Sequence, residues 1–320
     1  MINNIFLYIS SRNNYDMLLH EVIPTVNFDG LVINVDDNSC DQEKEKGRAI
    51  CEEYGITFME NNGVGLYMAA NTAIKYCRSN YPDVKYAYWL THDCLPMKDD
   101  MFDMLSKLVD SSKLDPFGCV GFNTVWRKFS YSKEDFIEQS LFGKYCGAMG
   151  RAVLTRVPGA GWYRSSDFEM KWDVWGKNMA VESVVDMNLM INVSKFIDYI
   201  KPDESFRHFC WGDDLGLQFL KNGIYNITLA DYYVYHDQSI KSKYGVPENS
   251  YRAAKSGNLY YFSSHDAHYE IWKNKWGFDR NWQVLYDKIP NEVGNMYRGT
   301  LLGDFIKHDY REGPLKSFNL

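Results

Sequence analysis

Short apolar runs alternate with amphipathic runs over the first 125 residues, and this alternation constrains the fold more than any other feature of the sequence. One amphipathic run, 64–77, carries apolar residues at helical spacing, which indicates a helix with one buried face. Strands separated by helices form mostly parallel sheets with helices packed on both faces. The sequence therefore predicts an α/β fold. The predicted strands are 4–10, 30–36, 56–60, 86–92 and 117–122.

Polar clusters follow four of these strands. The carboxyl ends of parallel strands meet at one edge of a sheet, and α/β proteins bind their ligands there. Each cluster taken singly is compatible with a helix cap or a turn. Four clusters at the same edge predict a ligand-binding site instead. The candidate residues are Ser10, Arg12, Asp36, Asp37, Asn62, Gly63, His92 and Asp93.

A pair of adjacent acids, Asp213 and Asp214, stands at the start of a predicted helix that ends at Gly223. Acidic residues at this position cap the helix and complement its dipole, so a structural role explains them. A catalytic role explains them equally well. The residues of this stretch alone leave both interpretations open.

Seven segments, taken in chain order, resemble the inverting nucleotide-sugar transferases of glycosyltransferase family 2, which have the GT-A fold. The order and spacing of the set carry the resemblance, which covers about residues 3–245. It implies a Rossmann-like, mostly parallel sheet with helices on both faces. The segments are ISSRNNYDML, VINVDDNS, NNGVGLYMAANTAIKY, YAYWLTHDCLPMKDDMFDML, CGAMGRAVLTRVPG, WGDDLGLQFLKNG and YVYHDQSIKSKY.

The resemblance implies that Asp214 accepts the proton of the attacking hydroxyl and that Asp213 lies beside the acceptor. It also implies that Asp93 and His236 bind a divalent cation, Mn²⁺ or Mg²⁺, which prefer oxygen-rich sites. The segment Thr91-His92-Asp93 departs from the family's Asp-x-Asp pattern because the first carboxylate is missing. The identity of the metal therefore stays open.

The nucleotide side of the site follows from the same resemblance. Asp36 is expected to accept a hydrogen bond from the base, and Ser10 and Arg12 are expected near the nucleotide. The remaining residues assigned to the nucleotide sugar are Asp37, Asn62 and Gly63. Contacts to the sugar or the acceptor are expected from His92, Trp211 and Gly147, although His92 is also compatible with a metal ligand or a packing role.

The sequence divides into a predicted catalytic domain, 1–240, and a C-terminal extension, 241–320, expected to be helical and to serve the acceptor. The extension is rich in aromatic residues and mildly basic, with twelve Lys and Arg against nine Asp and Glu. An acceptor-side insertion is expected at about 160–208. The two histidines of HDAH, 265–268, have no evident further ligand nearby, which favours a structural or surface role over a metal site.

The predicted activity is transfer of a single sugar from a nucleotide donor, UDP or another nucleoside diphosphate, to a hydroxyl of a glycan or glycolipid. One alternative acceptor is a hydroxylated base in DNA of the phage type, although the net charge of −7 argues against a polyanion. A non-catalytic module that binds nucleotide sugars or glycans is the alternative of another class. The family's Gln-x-x-Arg-Trp motif is missing, which argues against a processive synthase.

Cysteine usage and hydropathy bear on the compartment. The seven cysteines are scattered and include no Cys-x-x-Cys pair, which is typical of reduced thiols. No apolar run approaches the ~20 residues that a membrane-spanning helix needs. We therefore expect a cytoplasmic protein without integral membrane association. Peripheral contact with the inner membrane face stays compatible with the sequence, as does the host cytoplasm for a phage-encoded chain.

Overall fold

The computed structural model describes residues 4–92, 94–96, 99–125, 153–157, 161–165, 178–181, 184, 188–236, 243–244, 265–276 and 317–318. The strands are β1 (Ile5–Ser11), β2 (Val32–Asp36), β3 (Thr57–Glu60), β4 (Tyr86–Leu90), β5 (Cys94–Pro96), β6 (Phe117–Val125), β7 (Val153–Val157), β8 (Gly161–Ser165), β9 (Asn178–Val181), β10 (Leu189–Asn192), β11 (Tyr225–His236) and β12 (Ser317–Phe318). The helices are α1 (Tyr15–Met17), α2 (Asp41–Glu53), α3 (Leu66–Asn80), α4 (Met101–Asp110), α5 (Val193–Tyr199), α6 (Trp211–Lys221) and α7 (His265–Trp276). A π-helical turn, Leu18–Val22, and a 3₁₀ turn, Ile23–Thr25, continue α1.

Ten strands form one mixed sheet in the order β12-β9-β11-β6-β10-β4-β1-β2-β3, with β5 paired to β11. The half formed by β4, β1, β2 and β3 is parallel throughout. β10 runs antiparallel to both β4 and β6, and β11 runs parallel to β6. β7 and β8 form a separate hairpin. The predicted α/β fold is confirmed.

The side chains of β1 show why helices cover both faces of the sheet. Phe6 and Tyr8 belong to one buried cluster, and Ile5, Leu7 and Ile9 belong to another. Successive side chains of a strand point to opposite faces, so a strand that is apolar at every position is buried on both. Residues of α3, α5, α6 and α7 complete the first cluster, and residues of α1, α2 and α4 complete the second.

Helix α3 starts at a glycine that approaches another loop closely. Gly65 precedes the helix with φ +88°, and a Cβ placed there would lie 2.2 Å from the carbonyl oxygen of Arg207. The backbone N–H of Leu66 donates to the same oxygen at 2.8 Å. Only a residue without a Cβ fits this conformation and this distance. The loop before α3 is therefore joined to the loop before α6.

Part of the segment expected to form an acceptor-side insertion lies in the middle of the sheet. β10 occupies the position between β4 and β6, and α5 follows it directly. The helix begins at Asn192, whose side chain accepts a hydrogen bond from the backbone N–H of Lys195 at 3.0 Å. The rest of this segment, apart from β8, β9 and Val184, lies outside the described residues until Asn188.

The described part of the C-terminal extension packs into the main core. Trp272 of α7 is fully buried, and its ring lies 6.4 Å from that of Phe206, in the loop before α6. His268 of the HDAH segment is also buried, with its ring 5.6 Å from that of Phe209. The extension also supplies β12, a strand that pairs with β9 and that the expected helical pattern does not include.

Across the ranges given above, no helix is both long and apolar enough to span a membrane.

Candidate functional site

The carboxyl ends of β1, β2, β3 and β4 form the edge at which the sequence predicts a ligand site, here called the carboxyl edge. The chain runs outward from β1 through β2 to β3 and then returns to β4 on the other side of β1. The strand order therefore reverses between β1 and β4. Open α/β sheets bind ligands in the crevice at such a reversal.

Asp37 joins three loops of the carboxyl edge. Its backbone N–H donates to the carbonyl oxygen of Ser11 at 2.8 Å. Its Oδ1 accepts hydrogen bonds from Asn61 Nδ2 at 2.8 Å and from the backbone N–H of Gly65 at 2.9 Å. Asp37 is buried, which allows these bonds to hold the loops after β1, β2 and β3 in one arrangement.

Asp36 ends β2 and is also buried. Its Oδ2 accepts a hydrogen bond from the hydroxyl of Tyr15 at 2.7 Å, and its Oδ1 accepts one from the backbone N–H of Ser39 at 3.0 Å. Burial and the neighbouring Asp36 carboxylate raise the pKa of Tyr15 well above its usual value. Tyr15 therefore remains a proton donor to Asp36. A carboxylate offers about four acceptor positions, so these two bonds leave Asp36 capacity for a further donor.

Ser11 and His92 meet where β1 and β4 end. Ser11 Oγ lies 3.1 Å from His92 Nε2 and 2.5 Å from Asn34 Oδ1, and all three side chains are buried. Asn34 Nδ2 in turn lies 3.2 Å from the hydroxyl of Tyr15. A continuous series of side chains thus connects His92 to Asp36 beneath the carboxyl edge.

The other residues predicted on the nucleotide side lie in the same loops. Ser10 is half-buried and precedes Ser11, while the backbone N–H of Arg12 donates to Asn14 Oδ1 at 3.0 Å. Asn62 is exposed, and its backbone N–H donates to Thr72 Oγ1 at 3.1 Å. The carbonyl oxygen of Gly63 accepts from Asn38 Nδ2 at 3.2 Å. Their roles toward a nucleotide remain predictions.

Asp214 lies in the first turn of α6 with its carboxylate surrounded by donors. Oδ1 accepts from Trp276 Nε1 at 2.9 Å, and Oδ2 accepts from Gln218 Nε2 at 2.7 Å. Lys275 Nζ lies 2.9 Å from Oδ1 and 3.0 Å from Oδ2. Each oxygen therefore has two donors, and all four acceptor positions of the carboxylate are used.

Asp214 and Asp203 both pair with Lys275, and their pKa values are shifted in opposite directions. Burial raises the pKa of Asp214 above its usual value, and the donors Lys275, Gln218 and Trp276 only partly oppose this effect. Burial also acts to raise the pKa of Asp203, but hydrogen bonds from Ser205 and Lys275 outweigh it and hold that pKa below its usual value. Lys275 Nζ lies 3.1 Å from Asp203 Oδ2.

Asp213 and Trp211 precede Asp214 and are equally enclosed. Asp213 is 1 % exposed and Trp211 is fully buried. The Trp211 ring packs edge-on against Trp89 at 4.9 Å and lies 5.7 Å from the ring of Tyr67. Within the described ranges, Trp211 Nε1 has no hydrogen-bond partner. A contact between Trp211 and a ligand remains a prediction.

Of the two predicted metal ligands, only the backbone of His236 lies within the described residues. His236 ends β11, and its backbone pairs with Cys94 of β5, the residue that follows Asp93 in the sequence. Asp93 lies outside the described residues, as does Gly147. No group of three or more His, Cys, Asp or Glu side chains that could hold a metal occurs within the described ranges.

Sequence reasoning missed several residues that the structure brings into these clusters. Asn34 stands inside an apolar strand, and a polar residue at a buried position needs partners, so its position was the available signal. Tyr15 and Gln218 gave no such signal. Lys275 and Trp276 belong to the basic, aromatic extension, but nothing in the sequence indicates that they contact Asp214.

Comparisons with known proteins give the following results. No family model matches the sequence, and no curated protein matches it. Three similar solved structures are GalNAc-T7 with UDP, GalNAc and Mn²⁺ (12% identity, TM-score 0.48), the mannosyltransferase PcManGT from Pyrobaculum calidifontis with GDP-Man and Mn²⁺ (14%, 0.45) and S. aureus TarS 1-349 (12%, 0.43). The matches cover 74%, 80% and 92% of this chain. They cover 43%, 65% and 80% of those chains, so this chain spans less than half of the first.

Proposed function

We propose that this chain is a glycosyltransferase of the GT-A type that transfers one sugar, with inversion, from a nucleotide-sugar donor to an acceptor hydroxyl. The observation that carries the proposal is the joint between Gly65 and Arg207. Through it, the loop preceding the acidic pair of α6 contacts the carboxyl edge, where the polar clusters after β1 to β4 converge. An inverting transfer needs this combination, because the donor and the base that deprotonates the acceptor must lie side by side.

The proton-accepting role falls to Asp213 in this proposal, whereas the sequence favoured Asp214. A general base must accept a hydrogen bond from the attacking hydroxyl before it takes the proton. The four acceptor positions of Asp214 are occupied by Trp276, Gln218 and Lys275, so a sugar hydroxyl would have to displace one of them. Asp213 belongs to the same helical turn, and Asp214 serves to hold α7 against α6.

The nucleotide side of the proposal rests on Asp36 and Asp37. Asp36 keeps acceptor capacity beyond its bonds to Tyr15 and Ser39, which suits recognition of an N–H group on a base such as uracil. Asp37 fixes the loops that surround this position. A uridine diphosphate sugar is therefore the donor that we expect, and Ser10 and Arg12 are expected to contact it.

A divalent cation held by Asp93 and His236 completes the proposed site. Bound Mn²⁺ or Mg²⁺ acts as a Lewis acid that stabilises the negative charge of the departing diphosphate. The pairing of His236 with Cys94 supports this assignment at the level of the backbone. The acceptor in the proposal is a hydroxyl of a glycan or glycolipid.

The test is a donor panel. The purified chain is incubated with UDP-, GDP- and dTDP-sugars and Mn²⁺, and release of the nucleoside diphosphate is measured. We expect release from a UDP-sugar that stops with chelator, returns with Mn²⁺ or Mg²⁺, and increases when glycan acceptors are added. Hydroxymethylated DNA is included as a second acceptor. Binding of a nucleotide sugar without release under any condition would support a non-catalytic binding module instead.

A further inference from the structure

The ring of Tyr15 lies against a position of α2 that is occupied by glycine. Tyr15 is fully buried, and a Cβ placed on Gly47 would lie 2.3 Å from both Cε1 and Cζ of its ring. Gly47 lies within the helix and does not have a positive φ, so its backbone conformation does not require glycine. Glycine also favours a helix less than alanine does. The close approach of the Tyr15 ring therefore accounts for glycine at this position.

Hydrogen bonds at both ends of Tyr15 fix the residue in this place. Its backbone N–H donates to Glu43 Oε2 at 3.3 Å, one helical turn before Gly47. Its hydroxyl accepts from Asn34 Nδ2 at 3.2 Å and donates to Asp36 Oδ2 at 2.7 Å. Burial and the Asp36 carboxylate raise the pKa of Tyr15, so the hydroxyl keeps its proton. The position of this proton is therefore set by the packing of the ring.

The carboxylate of Asp36 is held at both of its oxygens. Oδ2 accepts from Tyr15, and Oδ1 accepts from the backbone N–H of Ser39 at 3.0 Å. With one donor on each oxygen, the carboxylate cannot turn about its Cβ–Cγ bond without weakening a hydrogen bond. Ser39 follows Asp36 in the same loop, whereas Tyr15 belongs to α1. Without the Tyr15 hydroxyl, the carboxylate could turn about its bond to Ser39.

Asp36 can still accept further hydrogen bonds. A carboxylate offers about four acceptor positions, of which Tyr15 and Ser39 use two. The residue is 1% exposed, so bulk water supplies few of the missing donors, and a buried charge without donors is costly. The edge of a flat base reaches such an oxygen more readily than a hydrated cation, which keeps several of its waters.

Uracil and cytosine differ at the atom that would meet this carboxylate. N3 of uracil carries a proton and donates to a carboxylate, whereas N3 of cytosine carries a lone pair that a carboxylate repels. The neighbouring N4 amine of cytosine can donate instead, but only to a carboxylate that turns toward it. A carboxylate that cannot turn therefore favours uracil, both by the bond it forms and by the repulsion it imposes on cytosine.

We propose that Tyr15 is a positioning residue for base recognition: packed on Gly47, its hydroxyl holds the Asp36 carboxylate in the orientation that accepts from uracil and rejects cytosine. The proposal deepens the function proposed above and rests on it for the contact between Asp36 and the base. It assigns the preference for a uridine donor in part to two residues, Tyr15 and Gly47, that act through Asp36 without contacting the nucleotide.

The test compares UDP with CDP by isothermal titration calorimetry in one Mn²⁺-containing buffer. We expect the unmodified protein to bind UDP more tightly than CDP by at least about 10-fold, because a hydrogen bond to a charged group is worth that factor or more. In Tyr15→Phe, we expect this preference to fall by about 10-fold. A merely structural role of Tyr15 would weaken the binding of both nucleotides equally and leave the preference unchanged.

Gly47→Ala is a second, independent variant. It keeps the Tyr15 hydroxyl but displaces the ring that carries it, because the new Cβ would overlap Cε1 and Cζ. We expect the same fall in the preference for UDP, although alanine favours the helix more than glycine does. Each of the two variants tests the proposal without the other, so the test does not depend on both of them folding.

Tyr86→Phe is the matched control. Tyr86 is a fully buried tyrosine of the same hydrophobic cluster as Tyr15, and its hydroxyl donates to the carbonyl oxygen of Leu114. This variant also loses a buried hydroxyl, but it should keep the preference of the unmodified protein for UDP.

The outcomes separate this proposal from the function on which it rests. An unchanged preference for UDP in Tyr15→Phe or in Gly47→Ala would overturn the role of Tyr15 and leave the proposed function intact. Equal affinity of the unmodified protein for UDP and CDP would overturn the recognition of uracil by Asp36, and this proposal with it. A preference that is lost in Tyr15→Phe, in a chain that releases no nucleoside diphosphate from any sugar donor, would overturn the proposed function alone.

Discussion

Lys275 and Asp214 form an ion pair in which Nζ lies within 3.0 Å of both carboxylate oxygens, although the two residues are 61 positions apart in the sequence. The Asp214 side chain is fully buried and that of Lys275 is 28% exposed. The pair joins the last turn of α7 to the first turn of α6, beside the loop that contacts Gly65. The extension therefore helps to fix the position of the acidic pair.

The two acids of α6 should respond differently to the same substitution. We expect Asp213→Asn to reduce sugar transfer by about 10²–10⁴-fold, the range for loss of a general base. Asp214→Asn replaces one carboxylate oxygen by an NH₂ group, which cannot accept the hydrogen bond that Gln218 donates to Oδ2, so we expect a loss of about 1–3 kcal/mol of unfolding free energy. Urea unfolding and initial transfer rates on both variants test this. A stable Asp214→Asn variant without activity would return the base role to Asp214.

The free energy of unfolding should depend on pH in part because the pKa of Asp214 differs between the folded and the unfolded protein. Burial raises the pKa of Asp214 in the folded protein above the ordinary value of 3.8. Between these two pKa values, the folded protein keeps a proton on Asp214 that the unfolded chain has released. The stabilisation from this proton is fully present below pH 3.8 and is lost as the pH rises through the folded-state pKa. Asp203, with its lowered pKa, acts in the opposite sense and below that range.

Urea unfolding of the unmodified protein and of Asp214→Asn from about pH 4 to about pH 7 isolates this contribution, because asparagine does not titrate. We expect the unfolding free energy of the unmodified protein to fall, relative to the variant, as the pH rises. If the unfolding free energy of the unmodified protein instead rises with pH relative to that of the variant, the ion pair with Lys275 outweighs burial and lowers the pKa of Asp214.

Much of the fold could be predicted because its signals are local. Each of the first four predicted strands is a short apolar run, and these runs form the parallel half of the sheet. β10 was not predicted, because four residues, Leu189–Asn192, are too few to show a period. Its central place depends on pairing with β4 and β6, strands that lie about 70–100 positions earlier, and no local pattern encodes such pairing.

The sequence predicted which loops form the candidate site, but it did not predict the contacts between the side chains in it. Polar residues after strands indicated the carboxyl edge, and the described ones lie in the loops at that edge, while Asp93 lies outside the described residues. The partners of these residues come from distant positions: Ser11 contacts His92, 81 positions away, and Asp214 contacts Trp276, 62 positions away. The sequence shows where polar residues follow the strands, but it does not show which side chains donate hydrogen bonds to each carboxylate. For that reason the sequence could not separate the roles of Asp213 and Asp214.

The joint between α3 and α6 gives a prediction with a matched control. In Gly65→Ala the new Cβ would lie 2.2 Å from the carbonyl oxygen of Arg207, so the two loops must separate. Gly55 also has a positive φ, +66°, but a Cβ there meets nothing within 4 Å. Gly55→Ala should therefore cost only the backbone strain of about 1–2 kcal/mol.

We expect Gly65→Ala to cost more than Gly55→Ala in urea unfolding and to weaken donor binding as well. Calorimetric titration with the UDP-sugar identified in the donor panel measures the second effect. Equal losses of stability and unchanged donor affinity in both variants would show that the joint does not support the site.

The extension supplies the last prediction. Trp272 is fully buried in the main core next to Phe206, and Trp276 lies at the end of the same helix with its indole N–H on Asp214. Trp272→Ala should lower the unfolding free energy by about 3–5 kcal/mol, as truncations of large buried side chains do. Trp276→Phe keeps most of the ring and removes the donor, so it should cost about 1 kcal/mol. An extension that serves only the acceptor would leave stability unchanged in Trp272→Ala. Hydrogen exchange of the amides in 265–276 separates the variants further, because loss of the Trp272 anchor should expose the whole helix, while loss of the Trp276 donor should release only its last turn.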